Sequence, residues 1–297
     1  METRSGDPIA DARLAMALQW RARGETAAAV ELIVQALELA PRWAEARYAL
    51  AETLAMLGRR DEAQAAMADY LALDPADSMG AAALAHRLNP DIAPILSAAF
   101  VRRLFDQYAP TFDHTLTGAL NYTAPAQLRA ALDAVAPGRR FARALDLGCG
   151  TGLMGAAVRD RVDHLAGCDL SPGMIAVARG KGLYDALEAA DLVAALAAAR
   201  ALDLILAADV FVYVGDLAPV FDGAFGAAAP GALFGFTLQR SSGADVALGD
   251  DRRFAHRRGH IEHLAAGAGW RVAVARDAVC RHDQGRPVPG LLVMLQK

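Results

Sequence analysis

Along residues 10 to 75 the small and apolar positions fall into two similar helical units, and beyond residue 94 the texture changes to short apolar runs separated by alanine-rich stretches. In the first region Gly24 and Gly58, Ala29 and Ala63, Leu39 and Leu73, and Pro41 and Pro75 are each 34 residues apart. Small residues stand where two antiparallel helices must approach closely: Ala17 and Ala51 in the first helix of each unit, Ala29 and Ala63 in the second. Pro41 and Pro75 end each pair, because proline cannot continue a helix and restrains the residue before it. The run "DSMGAAALAHRLN" (77 to 89) predicts a third, capping helix, and "NPDIAP" (89 to 94) breaks the pattern twice and marks a linker.

This 34-residue unit resembles the tetratricopeptide repeat over about residues 10 to 75. It departs from the family at Tyr70, where a small residue is usual, and at Leu54, where an aromatic is usual. Further on, "RALDLG", "HLAGCDL", "YDALEAA", "LDLILAAD" and "GALFGFTLQ" predict strands, each followed or preceded by a helical stretch such as "GLMGAAVRD" or "LAPVFDGAFGAA". That alternation predicts an α/β architecture: right-handed crossovers and a doubly wound, mostly parallel sheet with helices on both faces. The tail predicts a helix ("GHIEHLAAGAG") and a terminal strand pair ("WRVAVARDAV", "GLLVMLQK") that completes the sheet.

Composition bounds these expectations. A chain of 297 residues fits two domains, and 55% hydrophobic against 22% charged residues is ample for large cores. The apolar stretches are broken well before the ~18 residues a membrane span needs, and the polar start Met1 to Pro8 lacks a signal-peptide core, so a soluble, cytoplasmic protein with no membrane partner is expected. Cys149, Cys168 and Cys280 are too few and too scattered for a disulfide frame or a zinc site, so no metal is expected and the cysteines are read as core residues in a reducing compartment. Residues 1 to 89 carry nine Arg against 13 Asp and Glu, while the rest of the chain balances at 21 of each sign. Neither half has the broad positive field that a nucleic-acid partner requires. The basic cluster "RRFAHRR" (252 to 258) follows Asp250 and Asp251 and leaves a solvated loop open as one reading.

The chemistry is expected where the first strand ends, in "LDLGCGTG" (145 to 152). A parallel sheet binds its ligand beyond the carboxyl ends of its strands, and Gly148, Gly150 and Gly152 allow a tight turn and a close backbone approach to a ligand. A carboxylate stands at the end of each neighbouring strand: Asp146 before the turn, Asp169 after the second strand, Asp191 after the third and Asp209 after the fourth. Each of these acids also suits a helix cap. Taken together, "ALDLGCGTGLMG", "GCDLSPGMIAVAR" and "EAADL" resemble the successive cofactor motifs of class I S-adenosylmethionine-dependent methyltransferases over roughly residues 100 to 297.

The resemblance implies a seven-stranded Rossmann-like sheet and S-adenosylmethionine as cofactor, with S-adenosylhomocysteine as product. It implies that the turn wraps the methionine part, with Asp146 positioning its amino group, Gly148 and Gly150 permitting contact and Cys149 supplying backbone. By the same carry-over Asp169 holds the ribose, Leu170 and Met174 pack near the adenine, Asp191 and the Leu192 backbone read its edge, and Asp209 lies over the methionine moiety. No Asn/Asp-Pro-Pro-aromatic motif follows the fourth strand, which disfavours methylation of base amines or amide nitrogens.

"FDQYAPTFDHTLTGALNY" (105 to 122) resembles the N-terminal lid of small-molecule members of the family, with Tyr108, Phe112, His114 and Tyr122 as lid residues. Phe211, Tyr213, Arg253 and His256 are expected on the acceptor side. His114, Tyr108, Tyr213 and His256 are the candidate catalytic groups. The expected organisation is repeats over 1 to 90, a linker and lid over 91 to 140, and a methyltransferase domain over 141 to 297. The expected activity is methyl transfer to a small or peptide-borne acceptor, with the repeats available to a protein partner or to self-association. Two alternatives stay open: a repeat-based scaffold with a structural or regulatory nucleotide pocket, and a nicotinamide-dependent oxidoreductase.

Overall fold

The computed structural model describes residues 4–114, 122–283 and 285–297. It divides into two compact units, Met1–Phe100 and Val101–Lys297.

The first unit holds the helices α1 (Pro8–Ala22), α2 (Thr26–Leu39), α3 (Ala44–Met56), α4 (Arg60–Leu73) and α5 (Ala81–Leu88). Asp7 caps α1, its carboxylate accepting from the Ile9 and Ala10 backbone N–H groups at 2.7 and 3.0 Å, and Pro8 takes the first helical position, where no N–H is needed. Gly24 and Gly58 turn the chain between paired helices with φ of +88° and +72°. Ala17, Ala29, Ala51 and Ala63 are all fully buried, as the close approach of the helices demands. Tyr70, also fully buried, donates to Asp74 Oδ2 at 2.8 Å and accepts from the Met79 backbone N–H at 2.9 Å, so the large residue fastens the end of α4 to the turn before α5. Ala51→Leu is expected to cost about 1–3 kcal/mol by overpacking this seam, read as a lowered denaturant midpoint.

In the second unit α6 (Ala98–Tyr108), which begins just before the boundary, α7 (Phe112–His114) and α8 (Ala124–Val135) precede a regular alternation. It runs β1 (Phe141–Leu147), α9 (Leu153–Val158), β2 (Val162–Asp169), α10 (Pro172–Gly180), β3 (Ala186–Ala189), α11 (Leu192–Ala198), β4 (Leu202–Ala207), α12 (Ala218–Ala227) and β5 (Ala228–Arg240). The chain continues through β6 (Val246–Leu248), β7 (Phe254–His256), α13 (Arg258–Gly267), β8 (Arg271–Ala278), the small hairpin β9 (His282–Asp283) and β10 (Arg286–Pro287), and β11 (Gly290–Gln296). The sheet order is β3-β2-β1-β4-β5-β11-β8, with β6 and β7 attached beside β5. The first five strands pair in parallel, and β11 runs antiparallel to both β5 and β8.

Burial on both faces explains the continuous apolar runs. Along β4, Leu204 and Leu206 enter one core with Leu128, Phe141 and Leu292, while Ile205 and Ala207 enter the other with Phe221, Phe234 and Trp270. The strand order reverses between β1 and β4, so the crevice for a ligand opens beyond their carboxyl ends.

The reading of 252 to 258 as a solvated loop is corrected. Its centre is β7, which pairs with β5 (Arg240 opposite His256) and β6, and Phe254 and His256 are buried. The basic residues beyond it turn outward, Arg257 pairing with Asp245 at 2.5 Å and Arg258 with Glu262 at 2.8 Å. Among the described residues no helix is long and apolar enough to cross a membrane. All three cysteines are free and buried.

Candidate active site

β1 ends by delivering Asp146, 1% exposed, to a turn in which Gly148, Gly150 and Gly152 all take left-handed φ values of +60°, +54° and +95°. Three such residues in alternation admit only glycine without strain. The turn is fastened from the next strand: Cys149 N donates to the Cys168 carbonyl at 2.9 Å, and Gly150 N donates to Asp169 Oδ2 at 2.9 Å. The other oxygen of Asp169 accepts from Ser171 N at 2.8 Å, and burial raises its pKa. Asp169 therefore closes the turn and fixes Ser171, whose Oγ caps α10 by accepting from Met174 N at 3.0 Å.

Asp146 Oδ2 accepts a 2.6 Å hydrogen bond from the Tyr184 hydroxyl, while its buried Oδ1 has no hydrogen-bond partner among the described residues. Burial pushes the carboxyl up to about 7, with the Tyr184 bond opposing. The Tyr184 ring lies where side chains on Gly152, Gly155 and Gly167 would stand. Sequence reasoning missed Tyr184. The only signal for it was two glycines within the cofactor motifs, Gly155 and Gly167, to which the resemblance assigns no contact with the cofactor.

Farther along the sheet edge Leu170 is partly exposed, whereas Met174 is fully buried in α10 and Leu192 is nearly so in α11. Asp191 is exposed and caps α11, Oδ1 accepting from Val193 N at 2.8 Å and Ala194 N at 3.3 Å.

The segment from α6 to α7 is stitched to this edge by two carboxylates that the sequence did not single out. Asp106 accepts from Ser171 Oγ at 2.5 Å and Gly173 N at 3.0 Å. Asp113 accepts from Thr151 Oγ1 at 2.5 Å and Lys181 Nζ at 2.6 Å. Between them the Phe112 ring stands over the glycine turn, 3.7 Å from where a Cβ on Gly150 would be. Tyr108 and His114 are exposed. Of the expected lid, residues 115 to 121 lie outside the described residues. Tyr122 donates to the Ala208 carbonyl at 3.1 Å, next to Asp209.

Asp209, after β4, takes φ +59°, and its N–H donates to Thr237 Oγ1 at 2.9 Å. Its Oδ2 is 3.7 Å from Arg281 Nε, and Arg281 donates to Gln239 Oε1 at 2.7 Å. Arg253 Nε reaches the Tyr213 hydroxyl at 3.4 Å, and the Tyr213 ring meets Phe105 edge-on at 5.0 Å. Burial raises the Tyr213 pKa, so its hydroxyl keeps its proton. Phe211 does not line the acceptor side as expected: it is fully buried and stacks with Phe234 and Phe236 at 6.2 and 5.2 Å. His256 is fully buried beneath it, with Nε2 3.1 Å from the Phe211 carbonyl, and burial lowers its pKa, which keeps the ring neutral.

Residues 145–234 match the family model described as a methyltransferase domain, and residues 21–86 match the tetratricopeptide repeat. A search of curated proteins returns no match. Among solved structures, the [4+2]-cyclase SpnF aligns over 69% of this chain and 98% of its own at 16% identity and a TM-score of 0.57. An S-adenosylmethionine-dependent methyltransferase from Mesorhizobium loti aligns over 57% of this chain and 96% of its own at 23% identity and a TM-score of 0.46. A Haemonchus contortus N-methyltransferase in complex with phosphomonomethylethanolamine and S-adenosylhomocysteine aligns over 58% of this chain and 52% of its own at 15% identity and a TM-score of 0.48. The chain therefore carries a methyltransferase domain with a Rossmann-like fold, preceded by tetratricopeptide repeats.

Proposed function

We propose that the protein transfers the methyl group of S-adenosylmethionine to a small-molecule or peptide-borne acceptor by in-line displacement. The observation that carries this reading is the left-handed glycine turn beside Asp146, whose buried Oδ1 lacks a partner among the described residues. A buried acceptor without a donor is costly, and an ammonium group placed there would satisfy it. The residues present therefore fit the cofactor.

In this reading the Gly148–Cys149–Gly150 backbone and Asp146 hold the methionine part, and Asp209 borders it. Asp169 accepts from the ribose hydroxyls with the lone pairs left over from Gly150 and Ser171. Leu170 and the Leu192 backbone flank the adenine, Asp191 uses the oxygen not engaged in capping, and buried Met174 supports this edge through the packing of α10. The bound cofactor supplies a sulfonium methyl, an electrophile already activated. What remains for the chain is alignment and exclusion of water. Phe112, fastened through Asp113 and Asp106, covers the turn, and Tyr213 offers the acceptor a hydroxyl donor. Exposed Tyr108 and His114 and sealed His256 are placed less favourably for such a role. The repeats are read as a surface for a protein partner or a second copy, and the three free thiols accord with the reducing cytoplasm.

Acceptor-dependent formation of S-adenosylhomocysteine, followed by mass spectrometry on the full chain, tests the activity. Cofactor that binds but is never turned over by any acceptor would favour the scaffold reading. Asp169→Asn is expected to weaken S-adenosylhomocysteine binding by about 1.5–3 kcal/mol, the range for hydrogen bonds to a charged group. An unchanged affinity would leave Asp169 with its bonds to the Gly150 and Ser171 backbone alone.

A further inference from the structure

Two guanidinium groups converge beyond the carboxyl ends of β4 and β5, and the cofactor roles above use neither. Arg281 is 4% exposed. Such a buried cation needs close anionic compensation, because leaving water is expensive unless the charge is well paired. What it has is loose: a 3.7 Å approach of Nε to Asp209 Oδ2 and a 2.7 Å bond from Nη2 to the neutral amide of Gln239. Arg253 is less compensated still. Its Nε makes a long 3.4 Å contact to the Tyr213 hydroxyl, and neither of its terminal nitrogens makes a hydrogen bond among the described residues. Asp251, its nearest acid in sequence, is exposed and accepts from the Arg253 backbone N–H at 3.2 Å. Asp209 feels both arginines. Asp209 answers both guanidinium groups, and exposed, solvent-screened Asp251 adds only a weaker attraction to Arg253, so the buried part of the cluster retains a positive charge.

Its position matters as much as its sign. Tyr213 belongs to the turn after β4 and carries Phe105 edge-on against its ring, while Tyr122 binds the carbonyl of Ala208 just before Asp209. The cationic pair therefore borders the side of the crevice where an acceptor would approach the methionine moiety. Planar, forked donors match the geometry of a carboxylate or phosphate.

Resting on the methyltransferase reading above, we infer that the acceptor is a small oxyanion-bearing molecule, a carboxylate or phosphate monoester, whose anionic group is received by Arg253 and Arg281. Asp209 positions the pair and keeps the empty cluster from carrying two uncompensated charges.

The test is calorimetry on the full chain saturated with S-adenosylhomocysteine. The probes are benzoate against benzamide, 2-oxobutyrate against butanone, and phenyl phosphate against benzyl alcohol, which separate carboxylate from phosphate sources. At least one oxyanion is expected to bind tenfold or more tightly than its neutral counterpart. Arg253→Gln and Arg281→Lys are each expected to erase that preference while leaving affinity for S-adenosylhomocysteine within about twofold, equivalent to under ~0.5 kcal/mol. Arg253, on the less buried side, carries the test if the Arg281 variant does not fold. S-adenosylhomocysteine binding with no oxyanion preference, or a preference untouched by Arg253→Gln, overturns this inference alone. Failure of S-adenosylhomocysteine to bind the parent chain overturns the methyltransferase reading and this inference with it.

Discussion

Gly148→Ala is expected to destabilise the second unit by about 2–5 kcal/mol and to abolish cofactor binding at ordinary concentrations. Two costs combine. Any non-glycine residue at φ +60° carries roughly 1–2 kcal/mol of backbone strain. The added Cβ would also stand 2.7 and 2.8 Å from the two methyl carbons of Val210, and overpacking of this kind costs about 1–3 kcal/mol. Val210 is β-branched and held between Asp209 and the buried Phe211, so it has little room to retreat. The double variant Gly148→Ala/Val210→Ala separates the terms: it should recover the steric part in denaturant unfolding and leave the backbone part. Full stability in the single variant would mean that the turn does not need its left-handed geometry.

The second large effect concerns pH. Asp146 titrates near 3.8 when unfolded and is pushed up to about 7 by burial in the fold, with the Asp169 charge adding to the rise and the Tyr184 hydroxyl and the Gly155 backbone opposing it. The folded protein without cofactor therefore holds a proton that the unfolded chain releases. This group's contribution to stability is complete below its unfolded value and is lost as pH rises through about 7, with a ceiling on the order of 4 kcal/mol. Burial raises the pKa of Asp169 and Asp209 in the same direction, so they add to the slope with the same sign. The melting temperature of the cofactor-free protein should fall as pH climbs from about 5.5 to about 8, and Asp146→Asn should flatten much of that fall. An ammonium group beside Asp146 favours the charged carboxylate, so cofactor binding near neutral pH is expected to release protons, visible as a buffer-dependent binding enthalpy. A flat profile in the parent protein would show that Asp146 is already ionised at neutral pH without a ligand.

The helical repeats were legible in the sequence because close helix packing forces small residues into register, and Ala17, Ala29, Ala51 and Ala63 recur at the spacing that register requires. The parallel strands were legible because burial on both faces leaves unbroken apolar runs. Contacts between positions distant in sequence left a weaker trace. Tyr184 lies in a loop with no periodicity, and its place is fixed by gaps at Gly152, Gly155 and Gly167, up to 32 positions away. Asp106 and Asp113 carry no local signal in the lid run, and only the fold brings them to Ser171 and Thr151. β7 was hidden because four arginines flank its three residues and mask the buried Phe254 and His256. Arg281 gave no local signal at all, since its neighbours Asp209 and Gln239 come from the turn after β4 and from β5.

Isothermal titration of the full chain with S-adenosylhomocysteine, with NAD as the comparison ligand, tests the central claim most directly. The account predicts saturable binding of one S-adenosylhomocysteine per chain, weakened by Asp169→Asn, and no heat from NAD. At about a hundred times its dissociation constant the ligand should also stabilise the fold by ~2.7 kcal/mol. NAD binding in its place, or no binding of S-adenosylhomocysteine to a folded chain, would contradict it.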